Sequence, residues 1–85
     1  MNVTILWDLD DDEDGNVCHI AEHGLDKDDV GHVFDHPIGS MVSHSSSRPI
    51  VFGLTPDGRY IAVVYEFVDE DMVYPITAYE VPEPT

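Results

Sequence analysis

Residues 58–68 read GRYIAVVYEFV, the longest apolar run in the chain. The run is rich in β-branched and aromatic residues and follows a Pro-Asp-Gly turn signal, so it predicts a β-strand entered from a tight turn. Side chains alternate between the faces of a strand. One predicted face carries Ile61, Val63, Tyr65 and Phe67; the other carries Tyr60, Ala62, Val64 and Val68. Because both faces are largely apolar, the strand is predicted to be central in a sheet.

Shorter apolar segments lie on both sides of this strand in the sequence. Residues 49–54 precede the turn, and residues 72–81 follow the acidic segment 69–71. Three consecutive strands with short connections predict an antiparallel meander. Residues 2–7 predict a further strand that joins the sheet, and Met41 and Val42 could begin an edge strand.

The segment between residues 14 and 39 has the spacing of two short helices. Asp14 or Asn16 could cap the first helix, and Gly24 would stop it. Asp26 is the predicted N-cap of the second helix. The predicted buried residues are Val17, Ile20, Ala21 and Leu25 in the first helix and Val30, Val33 and Phe34 in the second. Pro37 and Gly39 would close that helix. The prediction is a single α+β domain over residues 1–85, with an N-terminal strand, two short helices and an antiparallel three- to four-stranded meander under them.

The charge of the chain is strongly one-sided. It has 3 Lys and Arg against 18 Asp and Glu, a formal net charge of -15. Such a surface repels phosphate backbones and anionic lipid, so nucleic-acid and membrane binding are disfavoured and a basic partner is favoured. Adaptation to high salt explains the same charge equally well, because salt screens self-repulsion. A single cysteine and the lack of a signal sequence or long apolar run favour a cytoplasmic protein.

Two patterns resemble metal sites but are incomplete. Asp10, Asp12, Asp14 and Gly15 match the first half of a calcium loop, yet its twelfth position, normally glutamate, is Ala21. His19 and His23 stand four apart with Glu22 between them, as in H-x-x-E-H proteases, but no third ligand is evident. His32 and His36 repeat the spacing of four. No metal and no cofactor are therefore predicted. Cys18 is expected to pack without reacting, and serines 43, 45, 46 and 47 are expected to be loop residues.

Arg48 and Arg59 flank the predicted hairpin formed by residues 49–68. If the hairpin brought them together, they could clamp a phosphate or carboxylate. Alternatively, each could form salt bridges with nearby carboxylates. The sequence leaves both readings open.

Residues distributed along the chain resemble the BrnT family of type II toxins. In that family a Trp-Asp pair ends the first strand, a Lys-His-Gly turn separates two helices, and Gly-Arg opens a valine-rich strand. The matching residues span positions 7–79: Trp7-Asp8, Asn16, His23-Gly24-Leu25, Val33-Phe34, Pro37, Arg48, Asp57-Gly58-Arg59, Val63-Val64-Tyr65 and Ile76-Thr77-Ala78. The resemblance implies a RelE-type ribonuclease fold and a ribbon-helix-helix antitoxin as partner.

The chain departs from the family pattern at basic positions. Glu22 replaces the lysine before His-Gly, Tyr79 replaces an arginine, and residues 82–85 replace a basic C-terminal helix. If the chain cleaves RNA, the resemblance implies His23 as general acid or base and Arg48 and Arg59 as phosphate ligands. Three functions stay open: a toxin-like ribonuclease, a non-catalytic domain that binds a basic protein, and an inhibitor that mimics DNA.

Overall fold

A computed structural model describes residues 2–45 and 47–84; Met1, Ser46 and Thr85 lie outside this description. The elements are β1 (Thr4–Ile5), α1 (Asn16–Ala21), α2 (Lys27–Asp35), β2 (Gly39–Val42), β3 (Pro49–Leu54), β4 (Tyr60–Asp69) and β5 (Met72–Glu80). The strands form one sheet in the order β1-β5-β4-β3-β2. The α+β class is therefore confirmed.

The meander and its central strand are as predicted. β4 pairs antiparallel with β3 on one side and with β5 on the other. β2 pairs antiparallel with β3 and is an edge strand, but Met41 and Val42 end this strand and do not begin it, because it starts at Gly39. The expectation of a purely antiparallel sheet is wrong at the other edge, because β1 runs parallel to β5. Its connection to the meander passes through both helices, and such a crossover permits parallel pairing.

Helix α2 has the predicted start and the predicted buried residues. The Asp26 side chain accepts a hydrogen bond from the Asp29 backbone N–H, and the Asp29 side chain accepts one from the Asp26 N–H. This reciprocal capping satisfies two N–H groups that the first turn leaves without helical partners. Val30, Val33 and Phe34 are buried.

The predicted N-cap of helix α1, Asp14 or Asn16, is wrong. Its N-cap is Gly15, with no side-chain capping bond. A Cβ at this glycine would come within 2.6 Å of the Asp8 Cβ, so the close approach of the preceding loop excludes a larger residue. Gly24 does end the helical segment as predicted, with φ of +76°. The Leu25 N–H donates to the Ile20 carbonyl and the Gly24 N–H to the Ala21 carbonyl, the bond pair of a Schellman motif.

Both helices pack on the same face of the sheet. Ile20 of α1 and Val30, Val33 and Phe34 of α2 share one core with sheet residues that include Val51, Ile61, Val63 and Tyr65. Strand alternation places the side chains of Phe52, Tyr60, Ala62 and Val64 on the opposite face. Phe52 and Tyr60 stack there, with ring centroids 6.1 Å apart. In the described part of the chain, no helix covers this opposite face.

The connection between β2 and β3 is short. Residues 43–48 join β2 to β3, with Ser43 N–H donating to the Arg48 carbonyl; the expectation for Ser46 falls outside the described residues.

Neither described helix is long and apolar enough to cross a membrane.

Candidate functional site

Arg59 is held by the turn between β3 and β4. Its backbone N–H donates to Thr55 Oγ1 at 2.9 Å, and its carbonyl accepts from the Thr55 N–H at 2.8 Å. Gly58 allows the chain to reverse because its φ is +90°, a conformation that glycine adopts without strain. The Thr55 hydroxyl donates to the Asp57 carboxylate. The turn thus places the Arg59 side chain beside the α1–α2 junction.

The Arg59 guanidinium group is surrounded by oxygen acceptors. Nη1 donates to the Gly24 carbonyl at 2.8 Å, and Nη2 contacts Asp29 Oδ2 at 3.3 Å. Nε is 3.1 Å from Asp57 Oδ2 and 3.2 Å from Asp57 Oδ1. Two carboxylates therefore face one guanidinium, and the group links three segments: the end of α1, the start of α2 and the β3–β4 turn. An added anion would have to displace these partners.

The two carboxylates beside Arg59 have different environments. Burial raises the pKa of Asp29 above its ordinary value, against the opposing effects of the Asp26 cap and of Arg59. The pKa of Asp57 is lowered, first by the hydrogen bond from Thr55 and then by the bond from Arg59. The pKa of Arg59 is itself raised, chiefly by its hydrogen bond to Asp57. Arg59 thus stays charged, and its positive charge favours the ionised form of Asp29 against the effect of burial.

The structure does not bring Arg48 to this site. Arg48 precedes β3, whereas Arg59 follows the turn at its far end, so the six residues of β3 separate them. At about 3.3 Å per residue the separation is about 20 Å. The Arg48 Nε lies 3.9 Å from Glu66 Oε2, and both side chains are about half exposed. The two arginines are therefore too far apart to form one anion clamp. Each of them forms salt bridges with nearby carboxylates, which was the alternative prediction.

His23 does lie near Arg59. It precedes Gly24, whose carbonyl accepts the Arg59 bond, and its ring centroid is 6.3 Å from that of Tyr79 and 6.0 Å from that of His19. The predicted helical spacing of His19 and His23 is wrong in one respect, because α1 ends at Ala21. The structure therefore joins two of the three predicted site residues, His23 and Arg59, with Tyr79 as an additional neighbour. We call this group the Arg59 corner.

The other patterns with metal-like spacing do not form a ligand cluster. The rings of His32 and His36 have centroids 4.9 Å apart, and His32 Nδ1 is 2.7 Å from the Leu54 carbonyl oxygen. In the acidic loop, Asp12 Oδ1 accepts from the Asp14 N–H, and Asp10 pairs with Lys27 at 2.7 Å. Within residues 2–45 and 47–84, no group of three or more His, Cys, Asp or Glu side chains is arranged to hold a metal ion.

A polar network around Asn16 was missed by sequence reasoning. Asn16 is buried, and its Nδ2 donates to the carbonyls of Leu6 at 3.1 Å and Pro75 at 3.0 Å, while its Oδ1 accepts from the Asp8 N–H at 2.9 Å. The Asp8 carboxylate in turn accepts from the Asn16 N–H and from the Tyr74 hydroxyl at 2.5 Å. This network ties α1 to β5 and to the loop after β1. No short sequence pattern indicates this network, because Pro75, which supplies one of the carbonyl acceptors, lies 59 residues after Asn16.

The Asp8–Tyr74 hydrogen bond predicts a pH-dependent contribution to stability. It lowers the pKa of Asp8 from 3.8, with help from the Asn16 N–H, and it raises the pKa of Tyr74 to about 12. A lowered carboxyl pKa stabilises the fold above the ordinary value, and that stabilisation is lost as the pH falls through the folded-state pKa. Tyr74→Phe should therefore cost less stability at about pH 3 than at about pH 7.

Urea unfolding of wild type and Tyr74→Phe at the two pH values measures this difference. Tyr60→Phe is the matched control, since the Tyr60 ring stacks on Phe52 on the opposite face of the sheet. A Tyr74→Phe deficit that is equal at both pH values would contradict the assignment.

Comparisons with known proteins add no relative to these observations. No protein-family model matches the chain, and neither a curated protein nor a solved structure matches it. Any proposal about function must therefore depend on the contacts and charges of the site.

Proposed function

We propose that this chain is a BrnT-like toxin-fold protein of a type II toxin-antitoxin system that acts in the cytoplasm by binding a basic protein and does not cleave RNA efficiently. The observation that carries the proposal is the state of its cations. All three Lys and Arg side chains are paired with carboxylates: Lys27 with Asp10, Arg48 with Glu66, and Arg59 with Asp29 and Asp57.

Paired cations argue against ribonuclease chemistry at the Arg59 corner. Phosphoryl transfer places negative charge on the phosphate oxygens, and enzymes stabilise this charge with positioned cations or hydrogen-bond donors. Here Arg59 already faces two carboxylates, and Arg48 lies about 20 Å away along β3. His23 could transfer a proton, but it would act beside a guanidinium whose charge is offset. An RNA phosphate would also have to approach a chain with a net charge of -15.

The same charge favours a basic protein as partner. Opposite net charges accelerate association and disfavour wrong partners, and the effect weakens as salt screens it. A small ribbon-helix-helix protein, the partner class implied by the BrnT resemblance, is the partner we propose. It would have to carry a basic surface to complement this chain.

The test is a binding and cleavage experiment on the purified protein. We expect a neighbouring gene to encode a small basic protein. Calorimetry should show that the dissociation constant of the complex between that protein and this chain rises about tenfold or more between 0.1 M and 0.5 M salt. RNA incubated with the chain alone should remain intact, and it should remain equally intact with His23→Ala. No such gene, or affinity that is independent of salt, would contradict the proposal.

Two further results would assign the chain to one of the other functions. RNA cleavage that His23→Ala or Arg59→Lys abolishes would assign it to the ribonucleases. Absence of a basic partner, together with a free energy of unfolding that rises steeply between 0.1 M and 1 M salt, would favour adaptation to a salty cytoplasm.

A further inference from the structure

Strand β2 is an exposed edge of the sheet. It comprises Gly39–Val42, all four residues are exposed, and its paired neighbour is β3. Among the described residues no strand pairs with its outer edge. An outer strand directs part of its backbone N–H and C=O groups away from the sheet, where they can pair with another chain.

The usual protection of a sheet edge is weak at β2. Its sequence, Gly-Ser-Met-Val, contains no charged residue, and its four pairs with β3 run without a register shift. Proteins commonly blunt an edge with charged side chains, a bulge or a very short strand. The opposite edge of the sheet has two of these protections: β1 is only two residues long, and a run of acidic residues begins at Asp8, shortly after β1. β2 is thus the edge that remains open to pairing.

The side chains around β2 offer apolar contacts to an added strand. Ile38, Met41 and Val42 are 60%, 45% and 59% exposed. Met41 lies opposite Ile50, which lies opposite Val64, so one apolar row crosses β2, β3 and β4 on the face without helices. A further strand beside β2 would continue this row and cover Met41.

The charge of the chain selects the occupant. A second copy would bring another net charge of -15 to the same edge, and an acidic segment would be repelled in the same way. Arg48, which lies near this end of β3, is already paired with Glu66, so it leaves no strong local attraction for an anion. A basic extended segment fits both the charge and the apolar row.

We propose that the outer edge of β2 accepts an extended basic segment of a partner protein as a sixth strand of the sheet. Main-chain hydrogen bonds to β2 would supply affinity, and alternating apolar and basic side chains would supply specificity. This inference rests on the proposed binding of a basic protein and adds the surface and the mode of binding.

A synthetic eight-residue peptide of alternating valine and arginine tests the inference. Titrated into the isotope-labelled chain, it should shift the backbone amide signals of residues 38–43 most strongly. The same peptide with every backbone nitrogen methylated, so that neither of its edges can donate main-chain hydrogen bonds, should bind at least about tenfold more weakly. A peptide with glutamate in place of arginine should not bind measurably at 0.1 M salt.

Matched variants locate the contact. Met41→Lys places a positive charge on β2 and should weaken binding of the valine-arginine peptide about tenfold. Val68→Lys makes the same change in charge near the C-terminal end of β4, which β3 separates from β2, and should change affinity by less than about twofold. Amide spectra of both variants confirm that they are folded.

The outcomes separate this inference from the proposed function. Strand addition at β2 would be overturned if methylation of the peptide did not weaken its binding, or if the amide signals that shift belonged only to the helices or the acidic loop. Neither result would contradict the binding of a basic protein. Failure of the peptide to bind would also overturn it. Failure of the neighbouring basic protein itself to bind would overturn the proposed function.

Discussion

Replacement of Arg59 by alanine is expected to lower the free energy of unfolding at neutral pH by clearly more than replacement of Arg48 does. The guanidinium group joins Gly24, Asp29 and Asp57, which belong to three different segments. Without it, the Asp29 carboxylate, whose side chain is 11% exposed, would stay in a largely buried position with its charge no longer offset by a cation. Leaving one member of such a pair behind costs more than the pair itself contributes.

Arg48→Ala is the matched control for Arg59→Ala. It removes the same charge from the same chain, but Arg48 and Glu66 are about half exposed and 3.9 Å apart, so the expected loss is below about 0.5 kcal/mol. Urea unfolding of both variants measures the difference. The Arg59→Ala deficit should also shrink in acid, because protonation of Asp29 and Asp57 removes the charges that Arg59 balances. Equal losses for the two variants would contradict a structural role for Arg59.

The parts of the fold that sequence predicted are those governed by local patterns. The apolar run of β4 marks a central strand, and β4 does pair with a strand on each side, although its last four residues are exposed. The pair Asp26 and Asp29 stands at the start of a periodic segment, where a short carboxylate can bond the backbone three residues away. Gly24 and Gly58 follow equally local requirements, since both have positive φ.

The parts that sequence could not predict depend on distant contacts. Asn16 was interpreted as a cap because asparagine favours that role, but its side chain reaches Leu6 and Pro75 instead. The parallel pairing of β1 depends on how the chain passes through two helices, which no short pattern records. The separation of Arg48 from Arg59 follows from the length of β3, whereas the acceptors around Arg59 come from Gly24 and Asp29, more than 25 residues earlier.

Asn16→Ala is expected to lower the free energy of unfolding by about 3 kcal/mol. The Asn16 side chain makes three hydrogen bonds to backbone groups, and its residue is 2% exposed. Alanine would leave the carbonyls of Leu6 and Pro75 and the N–H of Asp8 without these partners, and water has little access to replace them. Each buried backbone group left unpaired costs about 1 to 3 kcal/mol, partly recovered by relaxation.

The expected consequence for the fold is loosening of α1 from β5. The Asn16 bond to the Pro75 carbonyl is the polar contact that ties the first turn of α1 to β5, so the α1 amides should exchange hydrogen faster in Asn16→Ala than in wild type. Asn2→Ala is the matched control: Asn2 is exposed, and its replacement should change stability by less than about 0.5 kcal/mol. If Asn16→Ala unfolds at the same urea concentration as Asn2→Ala, the network does not hold α1 on the sheet, and the packing of Ile20 alone must do so.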